Sequence, residues 1–156
     1  MNLSPYRVAP DSPQIGAILS LIRKSFAFMD GRIDPPSSMH RLTEETVADH
    51  AARHEIWALG TPPLAVVFLT VKPGRLYLGK LAVDAGFRGQ GLARRLVAQA
   101  ETRARALGLT VVELETRVEL VENHATFAKL GFVQTGETAH PGYDRPTSIT
   151  MQKTLV

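Results

Sequence analysis

The chain has no cysteine, which removes disulfides, a thiol nucleophile and any cysteine-built zinc site. It has no apolar run approaching the length of a membrane span. Its first residues lack a basic stretch followed by an apolar core, so no secretory signal is read there and a cytoplasmic location is expected. No internal repeat or low-complexity tract occurs. Charge of one sign is also scarce: 18 Lys and Arg against 15 Asp and Glu leave a formal +3, too little to imply a nucleic-acid partner. Hydrophobic residues, by contrast, make up 44% of the 156, enough for one domain over residues 1–156 with a real core.

The most informative segment is Arg88-Gly89-Gln90-Gly91-Leu92-Ala93. Before it, residues 76–83 read as a strand, with Tyr77, Leu81 and Val83 on one face at period two and Gly79 between. After it, Leu92, Leu96, Val97, Ala100, Ala104 and Leu107 recur at helical spacing, and Gly108 supplies the stop. Two glycines at a strand-to-helix turn let the backbone approach a ligand. The first turn of the helix adds unpaired amides and a partial positive charge, and Arg88 adds a full one. The chemistry implied is a main-chain grip on phosphate or pyrophosphate; the alternative is a tight turn that merely happens to be glycine-rich. A P-loop is excluded because no Gly-Lys-Ser/Thr follows, and a dinucleotide fingerprint because Arg94 stands where its third glycine or alanine belongs. Arg94 and Arg95 lie near the anion end, whereas Arg103 and Arg105 read as a solvated helix face.

The remaining elements form one continuous series. Residues 6–9 suggest a short strand. A helix capped by Asp11 or Ser12 buries Ile15, Ile18, Leu19, Ile22 and Phe26, and a second, capped by Thr43, reaches about His54. Strands follow at 55–59 and 64–71, joined by Gly60-Thr61-Pro62-Pro63, and a hairpin turn at 72–75 leads into the strand described above. Beyond the long helix come a strand at 110–116, a helix at 122–130, and strands at 132–138 and 148–155. This order is that of an α/β chain, a mixed α+β sheet with helices on both faces.

Arg88, Gly91 and Ala93 match, position by position, the R/Q-x-x-G-x-G/A signature of the GCN5-related N-acetyltransferase (GNAT) family, which this chain resembles. Lys80-Leu81-Ala82-Val83-Asp84 looks like that family's strand along acyl-coenzyme A, and Phe127-Ala128-Lys129-Leu130-Gly131-Phe132 like its helix ending in a Gly-Phe turn. The resemblance implies a mostly antiparallel sheet splayed near its middle, with acetyl-coenzyme A (acetyl-CoA) as the acyl donor and no metal. Pyrophosphate would lie on Arg88, Gly89, Gln90, Gly91, Leu92 and Ala93, and the pantetheine arm along Leu81, Ala82 and Val83 like an added strand. An amide of Leu81 or Val83 would receive the acyl oxygen, and Asn123 and Phe127 would touch the arm.

Two departures stand out. Tyr77 occupies the place of a glutamate that many relatives use as base, and Phe127 that of a tyrosine that protonates the leaving thiolate. An amine with pKa about 10.4 costs about 4 kcal/mol to deprotonate at neutral pH, so a base is needed. Tyr77, Glu115, Glu113, His40 and His140 are the candidates; Lys80 is expected to point away from Tyr77. The loops 29–41 and 140–146 are expected to wall the acceptor, with Arg32, His40 and Tyr143 converging near the thioester. Their mixed charge suits a small polar or zwitterionic amine, though Asp, Pro and Arg also serve simply to build turns. The reading is an N-acetyltransferase acting on a primary amine of a small molecule or peptide by direct attack in a ternary complex. A non-catalytic acyl-CoA sensor is the alternative. Neither nucleic acid nor membrane is expected as a partner, and a homodimer is left open.

Overall fold

The computed structural model describes residues 3–27, 29, 31–37 and 41–156. His40, named above, lies outside them. The first strand, β1 (Tyr6–Arg7), is shorter than expected. Helix α1 (Ile15–Ala27) follows a turn in which Ser12 Oγ accepts from the Gln14 amide. Helix α2 (Glu44–Arg53) starts at Thr43, whose side chain accepts from the Thr46 amide while Thr46 answers to the Thr43 amide, a reciprocal cap.

Strands β2 (Glu55–Leu59), β3 (Ala65–Lys72) and β4 (Arg75–Val83) then form an antiparallel meander. Next come a single 3-10 turn (Ala85–Phe87), helix α3 (Leu92–Ala106), β5 (Val111–Arg117), helix α4 (Val121–Lys129), β6 (Val133–Thr138) and β7 (Ser148–Thr154). The seven strands make one sheet in the order β1-β2-β3-β4-β5-β7-β6, antiparallel except where β4 meets β5. No helix among the described residues is long and apolar enough to cross a membrane.

Helices α1 and α2 cover one face, burying Ile18, Ile22 and Val47 against Ile56, Val66 and Phe68. The opposite face is covered by α3, whose Leu92, Leu96, Val97, Ala100 and Ala104 pack on Val67, Leu69, Leu76 and Leu114, with Phe127 and Leu130 of α4 alongside. Leu107, expected in that stripe, caps the helix and is exposed. Because β3 is covered on both sides, Ala65 through Leu69 are all buried, a continuous apolar run and not an alternation.

The regular alternation expected for β4 fails at Gly79. Phe68 pairs with Lys80 but Leu69 pairs with Leu78, so Gly79 is an extra residue, a β-bulge. The side-chain phase therefore reverses there. Leu76 and Leu78 share the α3 face with Leu81 and Val83, while Tyr77 and Lys80, opposite Thr70 and Phe68, lie together on the α1/α2 face. This corrects two expectations: Tyr77 is not on the face of Leu81 and Val83, and Lys80 does not point away from Tyr77.

Arg103 is not a solvated helix residue either. Its Nε and Nη2 donate to Glu55 at 2.7 and 2.9 Å, and Trp57 Nε1 donates to the same carboxylate at 2.8 Å, tying α3 to β2. Burial works to raise the Glu55 pKa, but these hydrogen bonds outweigh it and the pKa is lowered. Glu55→Ala, which leaves three N–H donors without their acceptor, should destabilise the fold by about 1–3 kcal/mol in urea titrations. Since the folded pKa lies below the ordinary 4.5, the wild-type advantage should be complete above that pH and vanish as pH falls through the lowered value.

Candidate active site

Strands β4 and β5 pair through only three rungs, Leu76–Val112, Tyr77–Glu113 and Leu78–Leu114, and then diverge. The closed end is clamped by Glu113, which accepts from Arg75 Nε at 2.9 Å and from Gln152 Nε2 at 2.7 Å. Burial works to raise the Glu113 pKa, but the donors prevail and lower it. Glu113, one of the base candidates, is thus a buried structural carboxylate.

Beyond Leu78 the β5-facing edge of β4 pairs with no strand among the described residues. The Asp84 amide donates to Leu64 O at 2.8 Å, so by the alternation of an antiparallel ladder Ala82 faces β3, and Leu81 and Val83 turn their main-chain groups to the open edge. Ser25 of α1 donates its hydroxyl to Val83 O at 3.2 Å. Among the described residues the amides of Leu81 and Val83 donate to no main-chain acceptor.

At the end of β4, Gly89 and Gly91 have φ of +78° and +79°. A Cβ at either would meet nothing within 4 Å, so it is the left-handed backbone, not crowding, that calls for glycine. Gly91 is the N-cap of α3, and among the described residues the amides of Gly89, Gln90, Gly91, Leu92, Ala93 and Arg94 donate to no main-chain or side-chain acceptor. They are exposed or half-buried apart from Leu92, an anion-binding array at a helix start. Arg94 joins Arg88 beside it, and Lys129 of α4 adds a cation that sequence reading missed. Arg95 does not, since its guanidinium donates to Leu3 O.

From this anion end a groove of about 600 Å³ runs along Leu81, Ala82 and Val83 and past Asn123 and Phe127 of α4. Gln90 does not line it. A second cavity of about 280 Å³ occupies the gap between the diverging strands, bounded by Tyr77, Lys80, Glu115, Arg117 and His140. Phe26, Met29, Leu81, Asn123 and Phe127 line both spaces, so the two meet there.

Tyr77 is held in the neutral form. Burial, then the carboxylates of Glu115 and Glu113, push its pKa up to about 12. It can give a proton or a hydrogen bond but is no base at neutral pH. Glu115 is exposed on the cavity wall and makes no ion pair within the described residues. Burial lowers the pKa of Lys80.

The loop after α1 closes the mouth of the gap, anchored by Met29 and Ile33 against Leu120. Arg32 forms a two-pronged bridge to Glu122, whose pKa its hydrogen bond holds down to about 2. Tyr143 Oη donates to Asp34 at 2.6 Å, and Arg117 Nη1 donates to Pro35 O at 2.8 Å. Tyr143 and Asp34 thus join the loop after α1 to the loop 140–146, while Arg32 ties the former to α4, and neither Arg32 nor Tyr143 lines either cavity. His140 reaches the cavity, paired through Nδ1 with buried Thr147. Among the described residues no group of three His, Asp or Glu could hold a metal.

A main-chain anion grip, continuous with an unpaired strand edge and opening on a second cavity, is the plan of an enzyme that moves a group from an extended anionic carrier to an acceptor. Residues 19–132 match the model of the acetyltransferase (GNAT) family. An IAA acetyltransferase of Azospirillum brasilense is 30% identical over 153 residues, covering 95% of this chain and 97% of that protein. Among solved structures, the PaiA N-acetyltransferase of Thermoplasma acidophilum in complex with coenzyme A superposes with a TM-score of 0.83 at 12% identity, covering 99% of both chains. The IAA acetyltransferase of Bacillus cereus does so with 0.68 at 19% identity, covering 99% of this chain and 100% of that one. At those identities the likeness to the solved structures is one of fold. The chain belongs to the GNAT family and is an N-acetyltransferase.

Acetyl-CoA should raise the melting temperature of the wild-type protein. Gly91→Asp, which places a carboxylate on the anion array and a side chain at φ +79°, should abolish most of that rise. An undiminished rise in this variant would put the phosphate site elsewhere.

Proposed function

We propose that this enzyme transfers the acetyl group of acetyl-CoA to a primary amine of a small molecule or peptide by direct attack within a ternary complex. The observation that carries this reading is the meeting of groove and cavity at Leu81, Asn123 and Phe127, where a donor along β4 and an acceptor between the strands come into contact.

Acetyl-CoA supplies an activated thioester. The amides and cations at the head of α3 bind its pyrophosphate, and the bare edge of β4 takes its pantetheine amides like an added strand. Asn123, whose side-chain amide has no partner among the described residues, and Phe127 flank the arm from α4. The acyl oxygen is received by a free amide of Leu81 or Val83. Glu115 takes the proton that the acceptor ammonium must lose before its lone pair can attack. A carbon–nitrogen bond then forms as the carbon–sulfur bond breaks, and the nitrogen sheds its second proton to solvent. Tyr77, kept protonated by burial and its acidic neighbours, donates to the departing sulfur in place of the tyrosine that Phe127 replaces.

Release of free thiol from acetyl-CoA across a panel of amines tests the reading. Glu115→Gln should lower kcat/KM for the amine by about 100-fold and Tyr77→Phe should lower kcat by about 10–100-fold. Neither should change the KM for acetyl-CoA by more than about twofold. Thermal stabilisation by acetyl-CoA with no thiol release on any amine would favour the sensor reading instead.

A further inference from the structure

We propose that Lys80 selects the acceptor: the amine this enzyme acetylates also carries a carboxylate, on a small apolar body, as a free hydrophobic amino acid does. The inference deepens the functional reading above and rests on it.

The bulge at Gly79 is what brings Lys80 to the acceptor side. Were Gly79 a regular member of the strand, Lys80 would share the α3 face of Leu76 and Leu78; because Gly79 is bulged out of the ladder, Lys80 stands beside Tyr77 on the cavity wall. Lys80 is half-buried, its Nζ 5.2 Å from the centroid of the Phe68 ring, and among the described residues no carboxylate lies within ion-pair distance. A cation removed from water against an aromatic ring recovers only part of its lost hydration. The remaining part is available to an anion brought by a ligand.

The other charges of the cavity point the same way. From β5 come Glu115 and Arg117, and from the β6–β7 loop His140. Arg117 uses its guanidinium on the carbonyls of Pro35 and Pro36 and has no carboxylate partner among the described residues. His50 of α2 is near Lys80 but bonds Leu69 O and brings no negative charge. Two full cations thus face a single carboxylate, Glu115, which the mechanism assigns to the ammonium of the acceptor. An acceptor of net negative or zwitterionic charge complements this wall, and a simple alkylamine does not.

The opposite wall is apolar, made by Phe26, Met29, Ile33 and Leu120. The space of about 280 Å³ is at the small end for ligand sites and suits one amino acid rather than a peptide chain. A site built to bind a polar group discriminates against an analogue without it, because its own charge is then left unpaired.

The experiment compares the hydrophobic amino acids with their decarboxylated amines, with acetyl-CoA saturating and thiol release as the readout, in wild type, Lys80→Met and Lys80→Arg. Wild type should prefer the amino acid over the matching amine by at least about tenfold in kcat/KM. Lys80→Met should collapse that ratio toward unity, chiefly by raising the KM of the acid, while the acetyl-CoA-induced melting shift persists as evidence of folding. Lys80→Arg should keep part of the ratio. A wild-type preference for the decarboxylated amines, or a ratio unchanged in Lys80→Met, overturns the proposal and leaves N-acetyl transfer standing. Thiol release on no compound of either series, with acetyl-CoA still bound, overturns the functional reading and this proposal with it.

Discussion

A strand in the middle of a sheet that keeps half of one edge unpaired is the constraint on which this molecule depends. Buried backbone amides must find partners, and a parallel neighbour normally supplies them. Here β5 supplies them for three rungs and then turns away. The unpaired stretch is tolerable because the closed end is clamped by Arg75, Glu113 and Gln152, and because Ser25 holds the Val83 carbonyl from α1. What is left over is a set of amides with no acceptor among the described residues, along the edge to which the proposed pantetheine arm would add. The anion array at α3 begins where that edge ends, so one extended molecule can engage both.

The bulge at Gly79 has consequences out of proportion to a single residue. It keeps Leu76, Leu78, Leu81 and Val83 on the α3 core while bringing Tyr77 and Lys80 together beside the gap. Tyr77 lies over the glycine, where a Cβ would come 3.6 Å from its ring. With Gly79 counted in regular alternation, Lys80 would fall on the face of Leu76 and Leu78, and Leu81 and Val83 would leave it. The bulge therefore links packing to chemistry: the same extra residue sets the phase of the core and the charge of the cavity.

Ion pairs divide into two kinds by where they sit. Arg103–Glu55 and Arg75–Glu113 are largely shielded and join elements of the fold. Arg32–Glu122 and Arg145–Asp34 are exposed; the first ties the loop after α1 to α4 and the second ties it to the loop 140–146, and each is worth little by itself. Arg32 and Tyr143, read from sequence as acceptor ligands, make such ties instead. Nothing in a sequence distinguishes a loop arginine that faces a substrate from one that faces a glutamate 90 residues away.

The local rules of the chain settled a good deal alone. Helix stripes, the Thr43 cap, the turn glycines of Gly89 and Gly91 and the order of strands are written in neighbouring residues, since they depend on side-chain period, capping hydrogen bonds and the φ a residue can adopt. So was the departure at Phe127, which no fold can make ionisable. Tertiary structure decided the rest. The phase of β4 past Gly79 depends on its register with β3, the fate of Glu113 on donors from β4 and β7, the protonation of Tyr77 on burial and carboxylates of β5, and the exposure of Lys80 to the cavity on the bulge. Each of these is set by contact between segments far apart in the chain, and a linear pattern carries no record of which distant residue will be the neighbour.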